Sequence, residues 1–119
     1  MSTVYRPLQV WRGGRLLVEL QVFQAFNPWQ RARGLLARPS PGALQGHWLR
    51  PCNAVHCWFM GYAIDVLFLD AQGRVIKRVV SLQPWRMATC RHAHSVIELA
   101  AGEAVRLSIE EGDLCLPAC

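Results

Sequence analysis

The sequence predicts a mostly β (α+β) domain: a small antiparallel β-barrel or sandwich, closed or partly open, with one short helix near residues 28–36. Three observations carry this. Val18-Glu-Leu-Gln-Val22 and Val105-Arg-Leu-Ser-Ile109 alternate apolar and polar residues, the period-two pattern of half-buried strands. Turn-forming residues separate such stretches at short intervals, as in small all-β folds. Only one segment carries the chemistry of a helix start.

That segment follows the Val18–Val22 strand. Asn27 is a candidate N-cap, Pro28 the first helical residue and Gln30 the partner three residues on. Together they satisfy the orphan amides of a first turn. The helix should run to about Leu36, because Pro39, Pro41 and Gly42 then break the chain. Ile64 to Leu69 is apolar except for Asp65, so this strand should be covered on both faces. Asp70-Ala-Gln-Gly73 reads as a turn into a second strand, Arg74 to Leu82, which makes a hairpin. Ser95 to Leu99 is the next strand. Ala101-Gly102-Glu103 should turn it into Val105–Ile109, and Glu111-Gly112-Asp113 into a last strand, Leu114–Leu116. With no internal repeat and no linker, the whole of residues 1–119 reads as one domain.

At 52% hydrophobic and 18% charged residues, the chain can bury a core and is not a disordered tail. At 119 residues it can fold without a metal or disulfides. The net charge of +5 favours anionic partners in a general way. The arginines are scattered, however, and no basic run exceeds two residues. A nucleic-acid surface needs a patch or stripe, so nucleic acid is not an expected partner. No apolar run approaches the ~18 residues of a membrane span. The N-terminus lacks an apolar leader core and a small-residue cleavage site, which predicts a cytoplasmic chain. Cys52, Cys57, Cys90, Cys115 and Cys119 are an odd set without an export signal, which argues against a disulfide framework. A monomer is expected.

Four kinds of chemistry compete for the remaining residues. Cys52, His56 and Cys57 lie close in sequence, as do Cys90, His92 and His94. Thiolate and imidazole are zinc ligands, so Cys52, Cys57, Cys90 and His92 define a possible zinc module. The Cys-x4-Cys spacing is looser than a usual knuckle, and the plainer reading is small buried hydrophobes. Cys90 beside Arg86 and Arg91 has the cationic neighbours that activate a thiol. With Asp65 and His94 it forms the enzyme alternative, a hydrolase or a thiol-dependent catalyst. Asp65 itself, within a buried strand, must be paired or hydrogen-bonded; an ion pair or a loop cap is as good an account as a ligand. Five tryptophans, Trp11, Trp29, Trp48, Trp58 and Trp85, are platform candidates that more often plug barrel ends.

At this point the residues match a family. Arg33-Gly34-Leu35-Leu36, His56 through Asp70, Gly73-Arg74-Val75, Val96 through Gly102, and Gly112-Asp113 stand in the order and spacing of the DUF192 family, which the chain resembles over about residues 18–116. Leu36 replaces a usual Met. Trp58 to Tyr62 lacks the polar tripeptide that often follows the Met, so no role for it carries over. An Ala stands where Pro is common before Gly102. The resemblance implies a compact β-rich domain with a helix in the N-terminal third, of uncharacterised activity and with no cofactor. The expectation is therefore a non-catalytic module binding a small molecule or a protein. Its candidate site gathers Arg33, His56, Met60, Asp65, Arg86 and His94 near one end of the barrel.

Overall fold

The computed structural model describes residues 5–25, 41–56 and 61–118. Among these described residues, nine strands and one short helix follow in order: β1 (Tyr5–Arg12), β2 (Arg15–Ala25), β3 (Gln45–Leu49), β4 (Ala54–His56), β5 (Ile64–Leu69), β6 (Val75–Leu82), β7 (Met87–Thr89), β8 (Ser95–Ala100), α1 (Glu103–Arg106) and β9 (Leu114–Pro117). Seven strands form one sheet in the order β6-β5-β8-β3-β2-β1-β9, and β4 and β7 form a separate ribbon. The mostly-β class is as expected. The helix expected over 28–36 lies outside the described residues.

The β5–β6 hairpin forms where the turn chemistry placed it. Asp70 Oδ1 accepts the amides of Gln72 and Arg74, both at 2.9 Å, an Asx-type turn. Gly73 in that turn is positioned by more than its positive φ of 92°. A Cβ there would lie 2.3 Å from the Cys115 carbonyl oxygen of β9, well inside van der Waals contact. That close approach exists because the two edges of the sheet meet. Arg74 bridges Leu114, and Cys115 N–H donates to Gly73 O and Val75 N–H to Asp113 O, each at 2.8 Å. Closure stops there. Gly112 N–H still donates to Val75 O at 2.8 Å, and beyond it residues 107–111 are tied by the Arg78 guanidinium, which donates to Ile109 O at 2.8 Å. The sheet is thus a partly open sandwich and not a closed barrel.

Two further expectations change. The sheet is not wholly antiparallel, because β2 and β3 pair in parallel. Val105–Ile109, read as a strand from its alternation, instead contains the end of α1 and a turn. The reason is tertiary. Gly102, the N-cap position, has no side chain to satisfy the first amides. Asp65 reaches from β5 to do so, accepting Gly102 N–H at 3.0 Å and Ala104 N–H at 2.9 Å. This external cap starts a helical turn in a segment whose own pattern favours a strand.

The two faces of the sheet are built differently. The inner face carries one continuous cluster: Leu8, Val10, Leu20, Val22, Trp48, Leu67, Leu69, Val75, Ile97 and Leu99, joined by Ala104, Ile109 and Cys115. The outer face carries two clusters. Val66, Phe68 and Val96 pack with Val55 and Ala88 of the β4–β7 ribbon. Phe23, Ala25 and Leu49 form a smaller group. Cys52 touches both.

Candidate functional site

Where chemistry could happen depends on which polar side chains the fold leaves uncommitted. Asp65 is committed. It is fully buried, and besides the two amides of the α1 start it accepts Ser81 N–H at 2.8 Å. Ser81 adopts a positive φ of 54°, so its amide points across to β5. Three backbone donors surround one carboxylate, which is how a buried acid without a cation can be stable. Of the alternatives weighed for Asp65, the loop cap is the one formed.

The acids of the C-terminal region are committed as well. Arg12 grips Asp113 in a two-pronged pair at 2.8 and 2.9 Å. Burial pushes the Asp113 carboxyl up, but the Arg12 guanidinium and the Glu110 amide outweigh it, so its pKa is lowered. Glu103 pairs with Arg106 and accepts Leu44 N–H at 3.0 Å; the Arg106 bond lowers its pKa. Cys115 is chemically quiet, because burial raises its thiol to about 12.

Glu98 is the exception among the buried acids. It lies on the outer face, 2% exposed, in register with His47 of β3 and Val66 of β5. Glu98 Oε1 stands 3.9 Å from His47 Nδ1, too far for a hydrogen bond. Its Oε2 has no hydrogen-bond partner among the described residues. His47 is itself buried and meets Phe23 edge-on, ring centres 6.3 Å apart. This polar pair sits on the sheet row between the two outer apolar clusters. Neither Glu98 nor His47 is among the candidate site residues expected from the sequence. The available signal was the 96/98 alternation, which places Glu98 on the face of buried Val96.

An open cleft of about 350 Å³ lies at the end of the same face, lined by Pro51, Cys52, Asn53, Ala54, Ala93 and His94. Two loops make its walls. The 51–54 segment follows a cis Arg50–Pro51 bond, and the Cys90–Ala93 turn is closed by Ala93 N–H to Cys90 O at 3.0 Å. The walls are stapled by Cys52 N–H to His94 O at 3.0 Å and Cys90 N–H to Asn53 O at 2.9 Å. Asn53 and His94 are exposed there. The Cys52 thiol is turned onto the Ala54 carbonyl, Sγ to O 3.1 Å.

The six expected site residues do not form one group. His94 lines the cleft. Its amide bonds Leu69 O at 2.7 Å, four residues along β5 from Asp65, about 13 Å at a strand's rise. Asp65 faces the inner side by alternation with Leu67 and Leu69. An acid–base pair of Asp65 and His94 therefore cannot reach one substrate. Arg86 is exposed on the β6–β7 turn, at the far end of the ribbon, beside the His56–Met87 pairing. Only the backbone of His56 is described. Arg33 and Met60 lie outside the described residues, as does Cys57 of the zinc alternative. Among the described residues no three His, Cys, Asp or Glu side chains converge on a metal-sized site, and no hydrogen bond joins Cys90 to His94. Of the tryptophans, Trp48 is buried with its indole donating to Ser95 Oγ at 3.0 Å, and Trp85 is 61% exposed. No helix of the described residues is long and apolar enough to cross a membrane.

Comparison with known proteins agrees with this architecture. The fold superposes on a crystal structure from Sinorhizobium meliloti 1021, described as a candidate transcription regulator, with a TM-score of 0.85 at 22% identity, over 98% of this chain and 96% of that one. A protein of unknown function from Novosphingobium aromaticivorans DSM 12444 gives 0.81 at 20% identity, over 93% and 84%. At such identities the likeness concerns the fold alone. A UPF0127 protein of Pyrococcus abyssi (strain GE5 / Orsay) is 40% identical over 60 residues, and the match spans half the length of each chain. Residues 9–115 match the family DUF192, "Uncharacterized ACR, COG1430", and the chain belongs to the DUF192 family.

Proposed function

We propose that this domain is a non-catalytic binding module whose ligand seat is the cleft between the 51–54 segment and the Cys90–His94 turn. One observation carries the reading. The cleft is where uncommitted polar side chains, Asn53 and His94, stand in a concave space of small-molecule size, whereas Asp65 and Asp113 are locked by amides or arginine. The stapled backbone gives the cleft a fixed shape, which lowers the ordering cost of binding. Among the described residues no hydrogen bond joins a thiol to a histidine or carboxylate, which favours binding over turnover. The seat uses His94 of the expected residues and leaves Asp65 to the fold.

A fragment screen read by amide chemical shifts tests this. Hits should move Cys52, Asn53, Ala54, Ala93 and His94 together. Ala93→Trp, which fills the cleft, should abolish them while an unchanged unfolding midpoint shows the fold intact. Hits that persist in Ala93→Trp, or that map to the β6–β7 turn instead, would remove the cleft as the seat.

A further inference from the structure

We infer that the cleft is built for a small anion, a carboxylate or phosphate group, which rests on the cleft being the ligand seat. The first support is where the acids are not. The eight acids of the chain are Glu19, Asp65, Asp70, Glu98, Glu103, Glu110, Glu111 and Asp113. Residues 20–64 and 71–97 contain none, and both walls of the cleft come from these stretches.

The second support is where the neighbouring acids point. Asp70 adjoins Leu69, which bonds His94, yet its Oδ1 accepts the Gln72 and Arg74 amides. Glu98 lies four residues from His94 toward the middle of the sheet, about 13 Å away along the strand. Glu110 and Asp113 face Arg12, and Glu103 faces Arg106. Glu98, Glu103, Glu110 and Asp113 are therefore turned away from the cleft, and none of them is among its lining residues.

The third support is the state of the basic side chains. Arg12 and Arg106 are in ion pairs, and Arg74 and Arg78 are spent on the carbonyls of Gly112 and Ile109. Arg91, His92 and His94, by contrast, are exposed on one turn with no ion pair among the described residues. Lys77 is spent in the same way as Arg74 and Arg78, its Nζ donating to Thr89 O at 2.7 Å and lying over the Phe68 ring. Concave surfaces with charge of one sign concentrate counter-charged ligands. The Asn53 amide and the His94 imidazole supply donors of the kind that fix an oxyanion's orientation. The ligand envisaged is a small molecule with one or two anionic groups, seated between the turn and the 51–54 wall.

The test titrates isotope-labelled full-length protein at low ionic strength with inorganic phosphate, with malonate, and with glycerol as a neutral control. Saturable shifts at Asn53, Ala54, Ala93 and His94 are expected with at least one anion and not with glycerol. The double variant Arg91→Ser/His94→Gln should weaken binding at least tenfold, with an unchanged unfolding midpoint, and Arg91→Lys should retain most of it. Saturation by phosphate alone or by malonate alone supports the inference and identifies the source. If neutral fragments fill the cleft while neither anion saturates, the anion inference falls and the binding reading stands. If no probe of any charge moves the cleft, both fall. Shifts that never saturate and spread over every arginine mean diffuse screening, which also overturns it.

Discussion

Two buried acids on opposite faces of one sheet have had opposite fates. Asp65 on the inner face is surrounded by three backbone amides. Glu98 on the outer face has one carboxylate oxygen without a partner among the described residues and a histidine 3.9 Å from the other. The inner face is a single apolar cluster sealed by α1, and the Asp65 carboxyl holds that seal in place. The outer face is split into two clusters with a polar pair between them and a cleft at its end. The contrast teaches that a buried carboxylate in this fold is not by itself a functional mark. What matters is whether the backbone has already claimed its lone pairs.

The largest expected effect breaks the inner face. Asp65→Ala orphans three amides and uncaps α1, so urea unfolding should show a loss of about 3–5 kcal/mol. A loss below ~1 kcal/mol would mean that water satisfies those amides and the cap is dispensable. Next comes the seam that curls the sheet. Gly73→Ala drives a Cβ into the Cys115 carbonyl and strains a positive φ, which should cost about 2 kcal/mol. A neutral result would show that the β6 and β9 edges can part freely.

The outer face should respond with the opposite sign. Glu98→Met removes a buried carboxyl group that lacks a full set of partners among the described residues, and should leave stability unchanged or raise it by about 1 kcal/mol. A loss above ~3 kcal/mol would erase the contrast between the two acids. The smallest effect is in acid. The folded-state pKa values of Glu103 and Asp113 lie below their ordinary values of 4.5 and 3.8. Their contribution is therefore complete above those values and is lost as pH falls through the lowered ones. Unfolding midpoints should decline below about pH 4, and Arg12→Met should flatten the part due to Asp113. An identical acid decline in Arg12→Met would assign it to other groups.

Much of the strand framework was legible in the chain because it rests on local information. The alternation of Val18–Val22, the run Ile64–Leu69, apolar except for Asp65, and the Asp70–Gly73 turn each report a backbone state through side chains a few residues apart. Other elements gave weaker signals. β3, Gln45–Leu49, mixes Gly, His and Trp, and its place beside β2 in parallel pairing depends on a partner more than 20 residues away. Val105–Ile109 misled for a physical reason: its alternation is sound, but Asp65 supplies a helix cap from another strand, and local pattern cannot register a distant acceptor.

The candidate site divides in the same way. His94 was legible as a polar residue beside a strand, and the β-rich DUF192 domain as an ordered set of motifs. Asp65 was legible as a buried acid, but its role was not, since three amides from β6 and the α1 start converge on it only after folding. The sequence by itself determined composition, charge, strand periodicity, turn positions and family, all properties of neighbouring residues. The tertiary structure alone decided which carboxylates are spent, which basic side chains on the Cys90–His94 turn make no ion pair among the described residues, and where two loops leave a cleft. Those depend on contacts between residues far apart in the chain, whose geometry no local pattern encodes.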